Sequence, residues 1–151
     1  MEPGALLGAA GAWCGFAVAA IANGTVRETV LRPAVGRAAE PLSVATLSGL
    51  IFAGTRLYVQ RLARRASEPQ LWAVGIGWAA ATVAFEFLFG RYVARASWQA
   101  LLANYDVRRG RLWPLVLLTL LVGPPLLGRR RRSATRRRSR TSTAFPYSLA
   151  P

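Results

Sequence analysis

Glu86 is the residue whose type and surroundings most clearly indicate chemistry. It is the only charged residue among the 20 from Leu71 to Gly90. A helix rises about 1.5 Å per residue, so this run can cross the hydrocarbon core of a bilayer, which is about 30 Å thick. An ionised carboxylate inside such a helix is unfavourable without a partner. Glu86 therefore predicts a polar site within a membrane span.

The other residue types restrict that chemistry. The sequence has no histidine and a single cysteine, Cys14, which lies inside the first apolar block. Zinc, haem and disulfide sites therefore lack ligands, and a Ser–His or Cys–His nucleophile pair is excluded. Acid–base catalysis would fall to Glu86, Asp106, Glu28, the tyrosines or the arginines. We predict no catalytic residue, no metal site and no cofactor.

The composition indicates an integral membrane protein. Of the 151 residues 53% are hydrophobic, the mean hydropathy is +0.28, and the formal net charge is +14. Four apolar blocks alternate with segments that carry arginine, which is typical of a polytopic membrane protein. We therefore predict an all-α fold, an integral membrane four-helix bundle, in residues 1–128. Residues 129–151 are predicted to form a disordered, arginine-rich cytoplasmic tail.

The first two predicted spans carry stripes of small residues. Span one runs from Ala5 to about Ala22, and span two from Leu42 to about Val59. Small residues at every third or fourth position share one helix face and let helices approach closely in lipid. The stripes are Gly4, Gly8, Gly11, Gly15 and Ala19 in span one, and Ala45, Gly49 and Ala53 in span two. A cleaved signal peptide is the alternative for span one, although the residues before it are acidic rather than basic.

The third and fourth predicted spans differ in length. Span three, Leu71 to Gly90, places small and polar residues on one face and directs its tryptophans and phenylalanines toward lipid. Span four begins at Leu112 and is expected to kink or end at Gly123-Pro124-Pro125, because proline interrupts helical hydrogen bonding. It is therefore short for a crossing, and a re-entrant segment is the alternative.

A surface helix is predicted between spans three and four. Ser97 is a suitable N-cap, apolar residues follow at helical spacing, and Gly110 can end the helix. The apolar positions are Trp98, Leu101, Leu102 and Tyr105. This pattern is typical of an amphipathic interfacial helix lying on a membrane. Packing of the same face onto the end of the bundle is the alternative.

The distribution of arginine predicts the orientation. With four crossings, both termini and the loop 60–70 lie on one side, which carries more arginine than the other. The positive-inside rule therefore places both termini in the cytoplasm. The tail is predicted to bind anionic lipid headgroups, whereas no stacking platform or motif supports nucleic-acid binding. Its membrane-surface residues are Arg129, Arg130, Arg131, Arg132, Arg136, Arg137, Arg138 and Arg140.

The opposite, outer side collects the polar residues closest to Glu86. We predict a polar cluster in which an arginine, Arg27 or Arg111, is the counter-ion of Glu86. The expected hydrogen-bonding neighbours are Thr82, Tyr92 and Tyr105. The full cluster comprises Glu86, Arg27, Glu28, Thr82, Arg91, Tyr92, Tyr105, Asp106 and Arg111. Three roles remain open: an ion pair that sets helix register, a proton or ion relay, and a ligand or lipid-headgroup site.

Three stretches carry a resemblance to a known family. They are NGTVRE from Asn23, FEFLFGRYV from Phe85 and SWQALLANYDVRRGRLW from Ser97. Over about residues 5–127, without the arginine tail, the chain resembles a family of small four-helix bacterial inner-membrane proteins of unassigned function. The resemblance implies four spans in a bacterial inner membrane. It implies no activity, substrate or catalytic residue.

These observations favour a non-enzymatic structural, regulatory or accessory membrane protein. Its partners would be the bilayer, another membrane protein or further copies of the chain. The first alternative is an oligomeric small transporter or channel in which Glu86 relays protons or ions, since one four-helix chain leaves little room for an enclosed pathway. The second alternative is a lipid-directed membrane enzyme, which the absence of histidine and of closely spaced carboxylates disfavours.

Overall fold

In the computed structural model, which describes residues 1–142, every regular element is helical and no strand occurs within that range. The helices are α1 (Pro3–Val26), α2 (Arg32–Val35), α3 (Ala39–Arg61), α4 (Glu68–Leu88), α5 (Trp98–Ala103) and α6 (Trp113–Ser142). Single π-helical turns, Arg27–Leu31 and Phe89–Val93, extend α1 and α4. The predicted all-α fold is confirmed.

The four long helices alternate in direction. α1 and α3 form an antiparallel hairpin, and the Asn23 amide closes it by donating to the Ser43 hydroxyl over 2.6 Å. α4 runs parallel to α1, and the Trp78 indole N–H donates across to the Ala9 carbonyl over 2.9 Å. α6 packs against both α3 and α4 and begins beside the last turn of α4. The result is an up-down-up-down arrangement of four helices.

This alternation gives the bundle two different ends. One, which we call the Glu86 end, combines the C-termini of α1 and α4 with α5 and the N-termini of α3 and α6. The other, which we call the Glu2 end, combines the N-termini of α1 and α4 with the C-terminus of α3. Arg129 of α6 also lies at the Glu2 end, where it pairs with Glu68. Each end therefore contains segments that are distant in the sequence.

An aromatic cluster forms the centre of the core. Phe16 and Tyr58 both pack on Trp78. Their ring centroids lie 5.3 and 5.4 Å, respectively, from the Trp78 ring centroid. The sequence predicts that Trp78 faces lipid, and this prediction is wrong, since Trp78 is only 4% exposed. The physical reason is the indole N–H, which requires an acceptor and finds the Ala9 carbonyl in the interior.

Close helix approach depends on glycines of α4 and its extension. A Cβ at Gly75 would lie 2.1 Å from the Leu121 carbonyl oxygen of α6, so only glycine fits there. Gly90 similarly accommodates the Leu101 side chain. In the α1 stripe, by contrast, Gly11 and Gly15 have no neighbouring atom within 4 Å of a built Cβ. The predicted close packing therefore holds for α4, and much of the α1 stripe stays open within one chain.

Helix α6 does not end at Gly123-Pro124-Pro125, where the sequence predicts a kink or an end. Pro124 and Pro125 lie inside the helix and are fully buried. Having no N–H, they leave the Leu120 and Leu121 carbonyls without their usual donors. These carbonyls face Gly75 across the contact with α4. Burial of both proline rings offsets the lost hydrogen bonds, so the helix continues.

The helix also continues into the segment that the sequence predicts to be disordered. α6 extends from the apolar part through Arg129 to Ser142. Arginine has a helix propensity close to that of alanine, and cations near a helix C-terminus interact favourably with its dipole. Residues 143–151, the rest of the predicted tail, lie outside the described residues.

The outer surface of the bundle is apolar between its ends. Residues 3–26, 41–55, 69–85 and 112–128 contain no charged side chain. Large apolar side chains on these segments are exposed, among them Leu7, Val18, Leu50, Ile76 and Leu118. By length and composition, two segments of the described chain could cross a membrane: the 59 residues of Pro3–Arg61, which include the hairpin, and the 26 residues of Glu68–Val93.

Candidate functional site

Glu86 accepts hydrogen bonds from three neutral donors. Its Oε2 accepts the Tyr105 hydroxyl over 2.5 Å and the Trp113 indole N–H over 2.8 Å. Its Oε1 accepts the Asn104 amide over 3.5 Å. The acceptor belongs to the last turn of α4, and the donors belong to the turn after α5 and to the first residue of α6. One carboxylate thus joins three consecutive parts of the chain.

Helix α5 brings two of these donors into place. The Ser97 hydroxyl caps α5 by accepting the Ala100 N–H over 3.2 Å, which confirms the predicted N-cap. Leu101 is buried against Gly90. Because α5 ends at Ala103, the next residues turn back toward α4. The prediction that this helix continues to Gly110 is wrong, since Gly110, at φ +77°, follows a separate 3₁₀ turn, Val107–Arg109.

Aromatic stacking holds the same segment against α4. The Phe87 ring lies between two others, with its centroid 5.9 Å from Trp98 and 5.8 Å from Tyr105. Trp98 is 54% exposed and Leu102 is 59% exposed, although Leu101 between them is buried. The segment therefore packs onto the bundle through one side and keeps apolar side chains on its outer side.

The predicted arginine counter-ion of Glu86 is wrong. Arg111 pairs with Glu40, with Nη1 and Oε2 3.4 Å apart, and Arg27 pairs with Glu28 at 3.0 Å. In the described part of the chain no arginine lies within ion-pair distance of Glu86. The physical reason is competition, because each candidate arginine has a closer carboxylate at the same end of the bundle.

Glu40 is a site residue that the sequence reasoning missed. Its carboxylate accepts the Leu112 N–H over 3.3 Å in addition to the Arg111 guanidinium. It therefore satisfies a backbone donor at the start of α6 from a neighbouring helix. The available signal was its position as a single acid directly before the second apolar block.

The structure disperses the rest of the predicted cluster. The Thr82 hydroxyl accepts the Trp13 indole N–H and donates to the Trp78 carbonyl, so it does not bond Glu86. Tyr92 is 75% exposed.

Asp106 accepts the N–H of Arg108 over 3.1 Å, in a turn of its own segment. Arg91 is exposed on the π-helical turn after α4, and Glu28 also pairs with Arg32. Of the predicted hydrogen-bonding neighbours, only Tyr105 contacts the carboxylate.

The electrostatics of the site keep Tyr105 protonated. Burial, the hydrogen bond to Glu86 and the negative charge of that carboxylate all raise the pKa of the Tyr105 hydroxyl well above its usual range. The hydroxyl therefore remains a donor. Because the three donors are neutral, they orient the carboxylate without cancelling its charge. In the described residues no group of three acids, cysteines or histidines could hold a metal ion.

The predicted membrane-surface arginines begin at the Glu2 end. Arg129 and Arg130 are exposed, and Arg129 Nε donates to Glu68 at the start of α4 over 2.7 Å. For the other six arginines the described structure is limited to the helical backbone. They are Arg131, Arg132, Arg136, Arg137, Arg138 and Arg140.

No protein-family model, no curated protein and no solved structure matches the chain.

Proposed function

We propose that the chain is a small four-span protein of a bacterial inner membrane, with a non-enzymatic structural or accessory role. The observation that carries this proposal is the uncharged, apolar-exposed outer surface between two charged ends. A water-soluble four-helix bundle places charged residues on its outer faces, whereas the exposed surface here is formed by residues such as Leu7, Leu50 and Ile76. Lipid is the environment in which such a surface is stable.

The orientation follows from the distribution of arginine. The Glu2 end carries the loop arginines and the tail, so the positive-inside rule assigns it to the cytoplasm. Both termini then lie in the cytoplasm, and the Glu86 end lies in the outer leaflet. At that end the exposed outer side of α5, with Trp98 and Leu102, would lie at the lipid interface.

The structural role rests on how Glu86 is bonded. All three of its donors are side chains of this protein, and they join α4 to α5 and to α6. Such an arrangement stabilises one packing of the helices, which is what a scaffold or accessory subunit requires. It provides no second carboxylate or nucleophile, so a lipid-directed enzyme has the least support.

A small oligomeric transporter is the second candidate. It is favoured by the lack of a described arginine partner for Glu86, which leaves a carboxyl group without a cationic partner in the outer leaflet. It requires several copies, and the open glycines Gly11 and Gly15 of α1 offer a face for their contact. A monomeric mass of the purified protein in detergent would contradict this candidate.

Carbonate extraction and cysteine labelling test the main proposal. In a Cys14→Ser background, we would place one cysteine at Arg95, at the Glu86 end, and in a second variant one at Arg65, at the Glu2 end. The protein should stay in carbonate-washed membranes. A membrane-impermeant maleimide should label Arg95→Cys from the periplasm and Arg65→Cys only after the cells are opened. Release by carbonate, or labelling of both positions from one side, would contradict the proposal.

A further inference from the structure

A cavity of about 350 Å³ lies at the Glu2 end, away from Glu86. Its lining includes Ala5 of α1, Ala63 after α3, and the half-exposed Leu62. Ala5 and Ala63 are only 4% and 3% exposed, so the floor of the cavity is apolar and made of small side chains. The volume is in the range of small-molecule sites.

Among the side chains of the lining, one is acidic and one is basic. Glu2 and Arg65 lie across the opening, with Oε1 and Nη1 3.6 Å apart. Their side chains are 68% and 89% exposed, and an exposed ion pair of this kind contributes little to stability. The pair can therefore separate at little free-energy cost. Gln70, also in the lining, adds an amide.

This charge pattern selects the kind of ligand. A purely anionic group would meet the Glu2 carboxylate, and a purely cationic group would meet the Arg65 guanidinium. A group that carries both charges satisfies both side chains, since phosphate matches guanidinium and a primary ammonium matches carboxylate. A zwitterionic aminoethyl phosphate has this chemistry.

The surroundings of the cavity indicate that the ligand also has apolar chains. Leu62 belongs to the lining and is 50% exposed, so an apolar side chain connects the cavity with the surface. The outer face of the bundle next to this end is also apolar, with Leu6 on α1 55% exposed. We propose that the cavity binds the headgroup of phosphatidylethanolamine in the cytoplasmic leaflet, with phosphate on Arg65, ammonium on Glu2 and acyl chains passing Leu62 to the apolar outer face of the bundle. This inference rests on the proposed membrane location.

Native mass spectrometry of the full chain in detergent tests the inference. Phosphatidylethanolamine and phosphatidylcholine with identical acyl chains are added together in equal amounts. Both are zwitterionic, so attraction of the arginine tail to net negative charge does not affect their ratio. They differ in the ammonium, which has three N–H donors in ethanolamine and none in choline. For the wild type, ethanolamine-lipid adducts should exceed choline-lipid adducts by at least about fivefold, the effect of one charge-assisted hydrogen bond.

Two variants and a control separate the contributions. Glu2→Gln should bring the ratio close to one. Arg65→Gln should reduce both adducts by about fivefold and keep the ratio, because both lipids carry the phosphate. Arg61→Gln, which removes an equal charge outside the lining, should change neither. A wild-type ratio near one, or a ratio unaffected by Glu2→Gln, would overturn the inference.

Carbonate fractionation of the same proteins keeps the two proposals distinct. Protein that stays in the membrane but shows no headgroup preference would contradict the lipid site alone. Protein released by carbonate would contradict the membrane location, and the lipid site with it.

Discussion

The Trp113 indole N–H donates to the Glu86 carboxylate over 2.8 Å, which joins the first residue of α6 to the last turn of α4. The two residues are 27 positions apart, and the intervening segment contributes Tyr105 and Asn104 to the same carboxylate. The helix pair α4 and α6 is thereby closed at one end by a single acid.

Glu86→Gln should destabilise the protein by about 1–3 kcal/mol, because charge-assisted hydrogen bonds become neutral and the new NH₂ group faces at least one of the three donors. The measurement is reversible unfolding in mixed micelles at neutral pH. Glu28→Gln is the matched control, since Glu28 is an acid at the same end in exposed ion pairs and should contribute at most about 1 kcal/mol. Equal effects of the two substitutions would contradict a special role for Glu86.

Double-mutant cycles should show which acid Arg111 interacts with. Arg111→Gln and Glu40→Gln should be coupled by about 0.5–1 kcal/mol, because these side chains form an ion pair that is partly exposed. Arg111→Gln and Glu86→Gln should be additive within about 0.5 kcal/mol. Strong coupling of Arg111 to Glu86 would instead restore the counter-ion predicted from the sequence.

Tyr105 should make stability depend on pH in the alkaline range. Its pKa is raised in the folded protein, so the neutral form is favoured there relative to the unfolded chain, where the pKa is about 10. The resulting stabilisation is fully present below pH 10 and is lost as the pH rises above it. Thermal unfolding between pH 8 and about pH 11 should show a smaller decline for Tyr105→Phe than for the wild type. Identical declines would argue that the pKa of Tyr105 is not raised in the folded protein.

Gly75→Ala should disrupt the contact between α4 and α6. The added Cβ would lie 2.1 Å from a backbone oxygen of Leu121, which cannot move without shifting α6, and the expected loss is about 1–3 kcal/mol. Gly77→Ala is the control on the same helix, because a Cβ there meets no atom within 4 Å and alanine favours the helix. Unfolding in micelles should therefore move in opposite directions for the two variants.

The local sequence was sufficient to predict most of the long helices and the apolar character of the segments between the charged ends. Uncharged runs predicted three of the four long helices with small errors at their ends, and Ser97 was correctly identified as an N-cap. These features depend on residues within one or two helical turns, where propensity, capping and periodicity act directly.

Only the tertiary structure decided which groups meet. The sequence indicated that Glu86 requires a partner, but formal charge favoured arginine, whereas neutral donors from Asn104, Tyr105 and Trp113 are the groups that reach it. The burial of Trp78 depended in the same way on a carbonyl of another helix. The path of α6 through Pro124 and Pro125 also depended on another helix, because the Leu120 and Leu121 carbonyls face Gly75 of α4. The physical reason is that hydrogen-bond partners and close packing are set by distances between helices, which the composition of any one helix does not determine.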